Sequence, residues 1–568
     1  MKTIRNLALV LIALTVSLCA HALERQAFTF TNYNLKATLD PAKQGFAVTG
    51  TLQARNDTNA RQKNLALQIS SAFRWTAVAV GQDQVPWVQQ TYTTDIDHTG
   101  EVAEAILTLP TEVAPGASVT VTFSYEGALT LNTGRLLRVD TPGTYASRSD
   151  WDQISDSFTA VRGLGYVAWY PVAMDAASLS DGTSLWDRIA DWRHRHRDSI
   201  LKVTFTSPAG KMLVTNADEA SKSGDSFDVT FRSFASITPT FAYGAYQLLE
   251  RPNMTVYHLA EHTQLARDYV NAAEKVMPQV SDFFGTPKQK LVVVELPTED
   301  VLPFDDGSPV YFSPMMKLRP QALEMLMGHQ LVHTIITSTR PWINEGLAHL
   351  AQLLIRERQD GRDEALSYLN QFRETLAEAE KAALQAAPGK GDPLATSNDQ
   401  IMFRSKSSYV WFMLRDLVGD QALSAAIHNY NPDHDKQPGY VQSLIEAQTS
   451  PHQSLEQFFD DWVYRDKGLP DFKISTVYPR ATLGRDVYIV TVTAENAGEA
   501  SAPIVVGVMS EKGERREKGY IAGHGKTVIR ISYPGTPTKA WVNDGSVPES
   551  DVTNNTTEIK NLPPNPQP

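Results

Sequence analysis

The stretch from Gly328 to His349, GHQLVHTIITSTRPWINEGLAH, constrains this chain more than any other. It sets His329 and His333 four residues apart, then makes a short turn with Arg340-Pro341, and then reads Trp342-Ile343-Asn344-Glu345-Gly346. On a helix, residues i and i+4 lie one above the other on the same face. Two imidazoles so placed can hold one Zn²⁺, and a carboxylate from a second helix can complete three protein ligands. A histidine pair alone is equally an ordinary pair of helix residues. Glu345, returning after a short connection, supplies what the pair lacks and turns the reading toward a metal.

Composition limits the alternatives. A net charge of −12 argues against nucleic acid as a partner, because phosphate binding needs basic surface. The chain is 42% hydrophobic and 20% charged, which is ordinary globular material, and 568 residues are enough for several domains. At the N-terminus Lys2 and Arg5 precede a short apolar run, Leu7 to Leu18, and then Ala20-His21-Ala22. That is the pattern of a signal peptide cleaved after Ala22, and the run is too short to span a bilayer. Cys19, the single cysteine, leaves with it, so the mature chain has no disulfide although it is exported. The expected location is periplasmic or secreted, in a bacterium.

The expected fold is multidomain α+β. Residues 23–250 read as a large antiparallel β domain, with strand-like segments at Ala27 to Tyr33, Phe46 to Ala54, Ala66 to Ile69, Ser118 to Tyr125, Ile200 to Thr206 and Phe227 to Phe234. The run Arg193-His194-Arg195-His196-Arg197 reads as a solvated strand edge or loop. Residues 251–470 read as mainly helical with a small sheet. Thr263 to Phe284 stops at Gly285, Pro320 opens a helix with an apolar stripe of Leu323, Leu326, Met327, Leu331 and Ile335, and Pro341 opens the next. Further helices are expected at Glu364 to Ala386, Ser407 to Val418 and Ala422 to Tyr430. Residues 471–560 return to short, regularly spaced strands, as in a β-sandwich, and 561–568 read as a disordered tail.

GHQLVH followed by PWINEGLAHL resembles the gluzincin metallopeptidases, especially the alanyl (membrane-type) aminopeptidase family and its small bacterial peptidase-like relatives. Trp169-Tyr170-Pro171, Phe283-Phe284-Gly285 and SKSSYVWFMLRDLVGD are similar to further parts of that family. The resemblance implies a β domain, a thermolysin-like zinc domain and a β-sandwich, one Zn²⁺ on His329, His333 and Glu345, and a peptide or protein substrate.

Three departures accompany it. The family reads H-E-x-x-H, with the Glu as general base, and here that position is Gln330. The G-x-M-E-N segment that holds a substrate amine is missing; Phe304-Asp305-Asp306-Gly307 lies roughly in its place, so Asp305 or Asp306 is either an amine ligand or part of a solvated turn. Arg404 stands where the resemblance puts a transition-state tyrosine, and Tyr409 reads as packed. His349, four residues after Glu345, reads as reaching the pocket or as a surface helix histidine. A neutral amide at 330 has no usable base, so two readings follow: a metallopeptidase impaired as written, or a zinc-binding pseudopeptidase that holds peptides or envelope partners. A third reading, a β-sandwich adhesin with an inserted helical domain, would bind no metal.

Overall fold

The computed structural model describes residues 23–560, apart from 82, 182–183, 233, 235, 387–390, 450–452 and 483–486. The expected leader and the expected tail lie outside the described residues. The chain divides into two compact units, Met1–Ala245 with Asp300–Leu302, and Tyr246–Glu299 with Pro303–Pro568. Each has its own buried apolar cluster.

The first unit is built on an eight-stranded sheet with Phe28–Asp40 near its centre. Along that strand Tyr33, Leu35, Ala37 and Leu39 are buried while the residues between them are exposed, the period of two that a sheet covered on one face requires. It pairs antiparallel with Gly45–Asn56 but parallel with Ile200–Thr206. The expectation of a wholly antiparallel domain is corrected here. A parallel pair needs a long crossover, and nothing within either strand records it. Part of that crossover is helix α1, Ser184–Arg195, which also overturns the strand-edge reading of the Arg-His run. His196, just beyond it, is buried, its ring stacked on Trp192 at 3.9 Å between centroids. Its Nε2 accepts the Phe30 N–H at 3.1 Å, and its Nδ1 lies 2.7 Å from the Trp192 carbonyl. Burial pushes its pKa down to about 3, so the ring is neutral.

The second unit begins with a four-stranded sheet in the order Gln247–Arg251, Met254–His258, Leu291–Glu295, Val310–Ser313. Helix α2, Thr263–Phe284, ends where expected: Gly285 takes φ +107° and its N–H caps Ser281 O at 3.0 Å. Pro320 and Pro341 occupy the first positions of α3, Pro320–Ile335, and α4, Pro341–Asp360, where a missing N–H costs nothing. The expected helix at 364–386 is two, α5 (Arg362–Asn370) and α6 (Arg373–Ala386), interrupted at Gln371-Phe372. Helix α7 is Ser407–Val418, as expected.

Helix α3 differs from the amphipathic expectation. From Leu323 to Ile335 every residue but Leu326 is buried, so the helix runs through the interior rather than along it. Glycines allow this close packing. A Cβ on Gly328 would come within 2.1 Å of Ile355 Cδ1 of α4. On α4, a Cβ on Gly346 would stand 2.6 Å from Trp411 Cδ1 and 2.7 Å from Ser407 Oγ. Trp411 stacks on Trp342 at 5.1 Å and donates its indole N–H to the Trp342 carbonyl at 3.0 Å. Helix α4 is thereby fixed on both sides of Glu345.

After Phe472 the chain forms a three-stranded and a four-stranded sheet whose apolar residues join the core of the helices. One strand of the four, Gly513–Ile521, has no apolar alternation (GERREKGYI); its charges suit the sheet edge it occupies. Among the described residues no helix is long and apolar enough to cross a membrane.

Gly346→Ala should destabilise the protein by about 1–3 kcal/mol, because a rigid indole must move to admit the methyl. Gly143→Ala, whose new Cβ meets nothing within 4 Å, should change stability by about 0.5 kcal/mol or less. Urea unfolding of the two variants checks both.

Candidate metal centre

The close packing of α3 and α4 brings the predicted ligands together. His329 Nε2 and His333 Nε2 stand 3.2 Å apart on successive turns of α3. Glu345, in the second turn of α4, places Oε2 3.8 Å from His329 Nε2 and Oε1 3.8 Å from His333 Nε2. A fourth group joins them from the loop before Val310. Asp305 Oδ2 lies 3.3 Å from His329 Nε2 and 3.8 Å from His333 Nε2. Ligand atoms of all four lie within 4.8 Å of one another, and none of the four side chains is more than 13% exposed.

These residues fit a zinc ion. Ligands held at about 2.0–2.2 Å in a tetrahedron stand about 3.3–3.6 Å apart, close to the observed separations. Glu345 Oε2 is buried and accepts no hydrogen bond among the described residues. Protonation states also suit it. Burial holds the His333 imidazole below its usual pKa, as a neutral ligand. Burial also works against charge on Asp305, but His333, His329 and the Gly307 N–H outweigh it and hold the carboxyl well below the ordinary range.

Asp305 was expected as an amine ligand or a turn residue. It does serve the turn, since its Oδ1 accepts the Gly307 N–H at 2.9 Å, but its other oxygen enters the histidine cluster. Asp306 does not; its Oδ1 accepts the Ser308 N–H at 3.2 Å, and it is not one of the clustered residues. Gln330, 1% exposed, donates from Nε2 to Asp305 Oδ2 at 2.6 Å. Its amide therefore faces the cluster from the position the resemblance gives to a general base.

The surroundings are also polar. Glu324 is turned elsewhere, bonded by Lys275 Nζ at 2.6 Å and Gln359 Nε2 at 2.6 Å. His349 is not a surface histidine. Its ring packs on His329 at 4.9 Å, its Nδ1 meets Gln352 Oε1 at 2.9 Å, and burial, with the charges of His329 and Arg404, drives its pKa well down. Arg404 reaches the site, with Nε 3.5 Å from Glu345 Oε2. Tyr409 is packed, its hydroxyl donating to the Leu369 carbonyl at 3.2 Å. Arg404 belongs to a π-helical turn, Ile401–Lys406, that runs into α7. Lys406 anchors the turn, buried between Glu380 Oε1 at 2.6 Å and Asp466 Oδ1 at 2.7 Å.

The chain is similar in structure to the M1 zinc metallopeptidase of Deinococcus radiodurans, with TM-score 0.46, 17% identity, and coverage of 77% of this chain and 94% of the other. A mutant of that enzyme bound to a Tyr-Ser-Ala substrate matches at TM-score 0.46 and 16% identity over the same shares. The mutant without substrate matches at 0.46 and 17%, over 78% of this chain and 96% of the other. No family model matches the chain, and no curated protein does. The site's own geometry, not this likeness, carries the functional reading.

The Lys406 anchor has a pH signature. Burial, countered by Lys406 and reinforced by Asp466, raises the Glu380 pKa to about 7. A carboxyl raised on folding gives stability that is full below its unfolded pKa and lost as pH rises through the folded one. The unfolding free energy should therefore fall between about pH 5 and about pH 8, and Glu380→Gln should flatten that fall. Urea unfolding at a series of pH values measures it.

Proposed function

We propose that this chain is an exported zinc-binding protein of the aminopeptidase-like metallopeptidase type, whose hydrolysis of peptide bonds is impaired. The observation that carries the reading is the convergence of His329, His333 and Glu345 with Gln330 beside them. The two histidines and Glu345 would hold the ion, which would act as a Lewis acid on a substrate carbonyl. The remaining work falls to the chain. Hydrolysis needs a group that takes a proton from water and returns it to the leaving amine. The Gln330 amide donates and accepts hydrogen bonds but has no basic atom near neutral pH. Removing a general base typically costs about 10²–10⁴ in rate. Arg404 does not replace it, because a guanidinium stays protonated; it can steady an anionic oxygen next to Glu345.

The second reading, a pseudopeptidase that binds peptides or envelope partners without cleaving them, is favoured by one observation. Gln330 is already committed to Asp305, leaving its amide N–H₂ less free to orient a reacting water.

Elemental analysis of the purified mature protein should find about one zinc per chain, lost in His333→Ala. Zinc-loaded protein should hydrolyse aminoacyl and peptide amides little faster than His333→Ala does. Absence of zinc after incubation with it would sink the metal reading, and turnover at ordinary enzymatic rates would sink the impairment.

A further inference from the structure

Asp305 changes what kind of metal site this is. Catalytic zinc keeps three protein ligands and an open fourth position, whereas structural zinc has four protein ligands. Here a fourth side chain already stands among the other three, its Oδ2 as near to His329 Nε2 (3.3 Å) as the two imidazole nitrogens are to each other (3.2 Å).

The loop that brings it is built for the purpose. Phe304 and Phe312 exchange backbone hydrogen bonds at 2.7 and 3.1 Å, which fixes the residue before Asp305. Gly307 follows at φ +75°, and a Cβ there would stand 2.1 Å from Asn344 Nδ2. Asn344 donates that same nitrogen to the Gly307 carbonyl at 3.1 Å. The loop is thus tied to the neighbour of Glu345, so the two carboxylates are held in register by one contact.

Gln330 completes the arrangement. Its amide N–H₂ bonds Asp305 Oδ2 at 2.6 Å. A glutamate at 330 would put a third carboxylate against two others in a buried site, and like charges there repel strongly. Two carboxylates balance the charge of a divalent cation, and a hydrogen bond to a ligating carboxylate fixes its orientation.

We propose that Asp305 is a fourth metal ligand, oriented by Gln330, and that the chain therefore carries a closed four-ligand divalent-metal site with no position for a substrate. This rests on the reading that His329, His333 and Glu345 hold a metal. Of the two functional readings it supports the pseudopeptidase, in which the ion holds the loop and helices together rather than acting in hydrolysis.

Cobalt(II) is the probe, because its visible spectrum reports its ligand field, with zinc competition against a chromophoric chelator for affinity. In the full-length mature protein, azide or a small hydroxamate should leave the cobalt spectrum unchanged. In Asp305→Ala and Asp305→Asn the same additives should shift it, and zinc affinity should fall by about 10–100-fold or more. Gln330→Glu alone should weaken zinc binding and yield no peptide hydrolysis. An additive-induced shift in the unsubstituted protein, unchanged zinc affinity in both Asp305 variants, or hydrolysis in Gln330→Glu alone would each overturn the proposal. His333→Ala separates the two levels: if it binds metal as well as the parent does, the metal reading itself has failed, not merely the role of Asp305.

Discussion

Burying helix α3 is the constraint from which the rest of the site follows. The helix passes through the interior from Leu323 to Ile335 and carries His329, Gln330 and His333 with it. Buried polar groups must find partners, because each one left unpaired costs about 1–3 kcal/mol. What these three meet is Glu345 of α4 and Asp305 of the loop before Val310. Burial works against charge here, since each ion taken out of water costs several kcal/mol. A divalent cation held among these groups would offset that cost, which links the packing of α3 to the proposed metal site.

What could be read in the sequence was whatever short-range geometry encodes. The i, i+4 spacing of His329 and His333, the prolines that open α3 and α4, and Gly285 at the end of α2 each act within a turn or two. Glu345 was legible because a short connection leaves a returning helix little choice of direction. Asp305 was legible as an amine ligand or a turn residue but not as a neighbour of the histidines, because that place depends on how a loop closes over His329, 24 residues later. The same limit explains the parallel pairing of Phe28–Asp40 with Ile200–Thr206, which links segments too far apart for any local pattern. His196 was misread for another reason: the Arg-His run looks like solvated charge by composition, and tertiary context overrides that for the buried histidine.

The environment of Glu345 is shaped from a distance. Lys406 is locked between Glu380 and Asp466, and the turn it anchors carries Arg404 to within 3.5 Å of Glu345 Oε2. The guanidinium thereby sets a positive charge beside the carboxylate. His349, its pKa driven well down and its ring edge-on to His329 at 4.9 Å, adds no charge to the cluster.

Gln330 is therefore not to be weighed as a single letter. Set against three ligands and an open fourth position, an amide in place of a carboxylate is a plain loss. Set against four ligands it is a match. A carboxylate at 330 would repel Asp305 from the cluster, while the amide holds it in place by a 2.6 Å hydrogen bond. The reverse dependence is as strong, since without Asp305 the amide would be left buried with its donors unpaired. Each residue makes the other tolerable, and neither fits beside the other's alternative. The pairing of Asp305 with Gln330 is the physical ground for the proposal that the metal is held by four side chains.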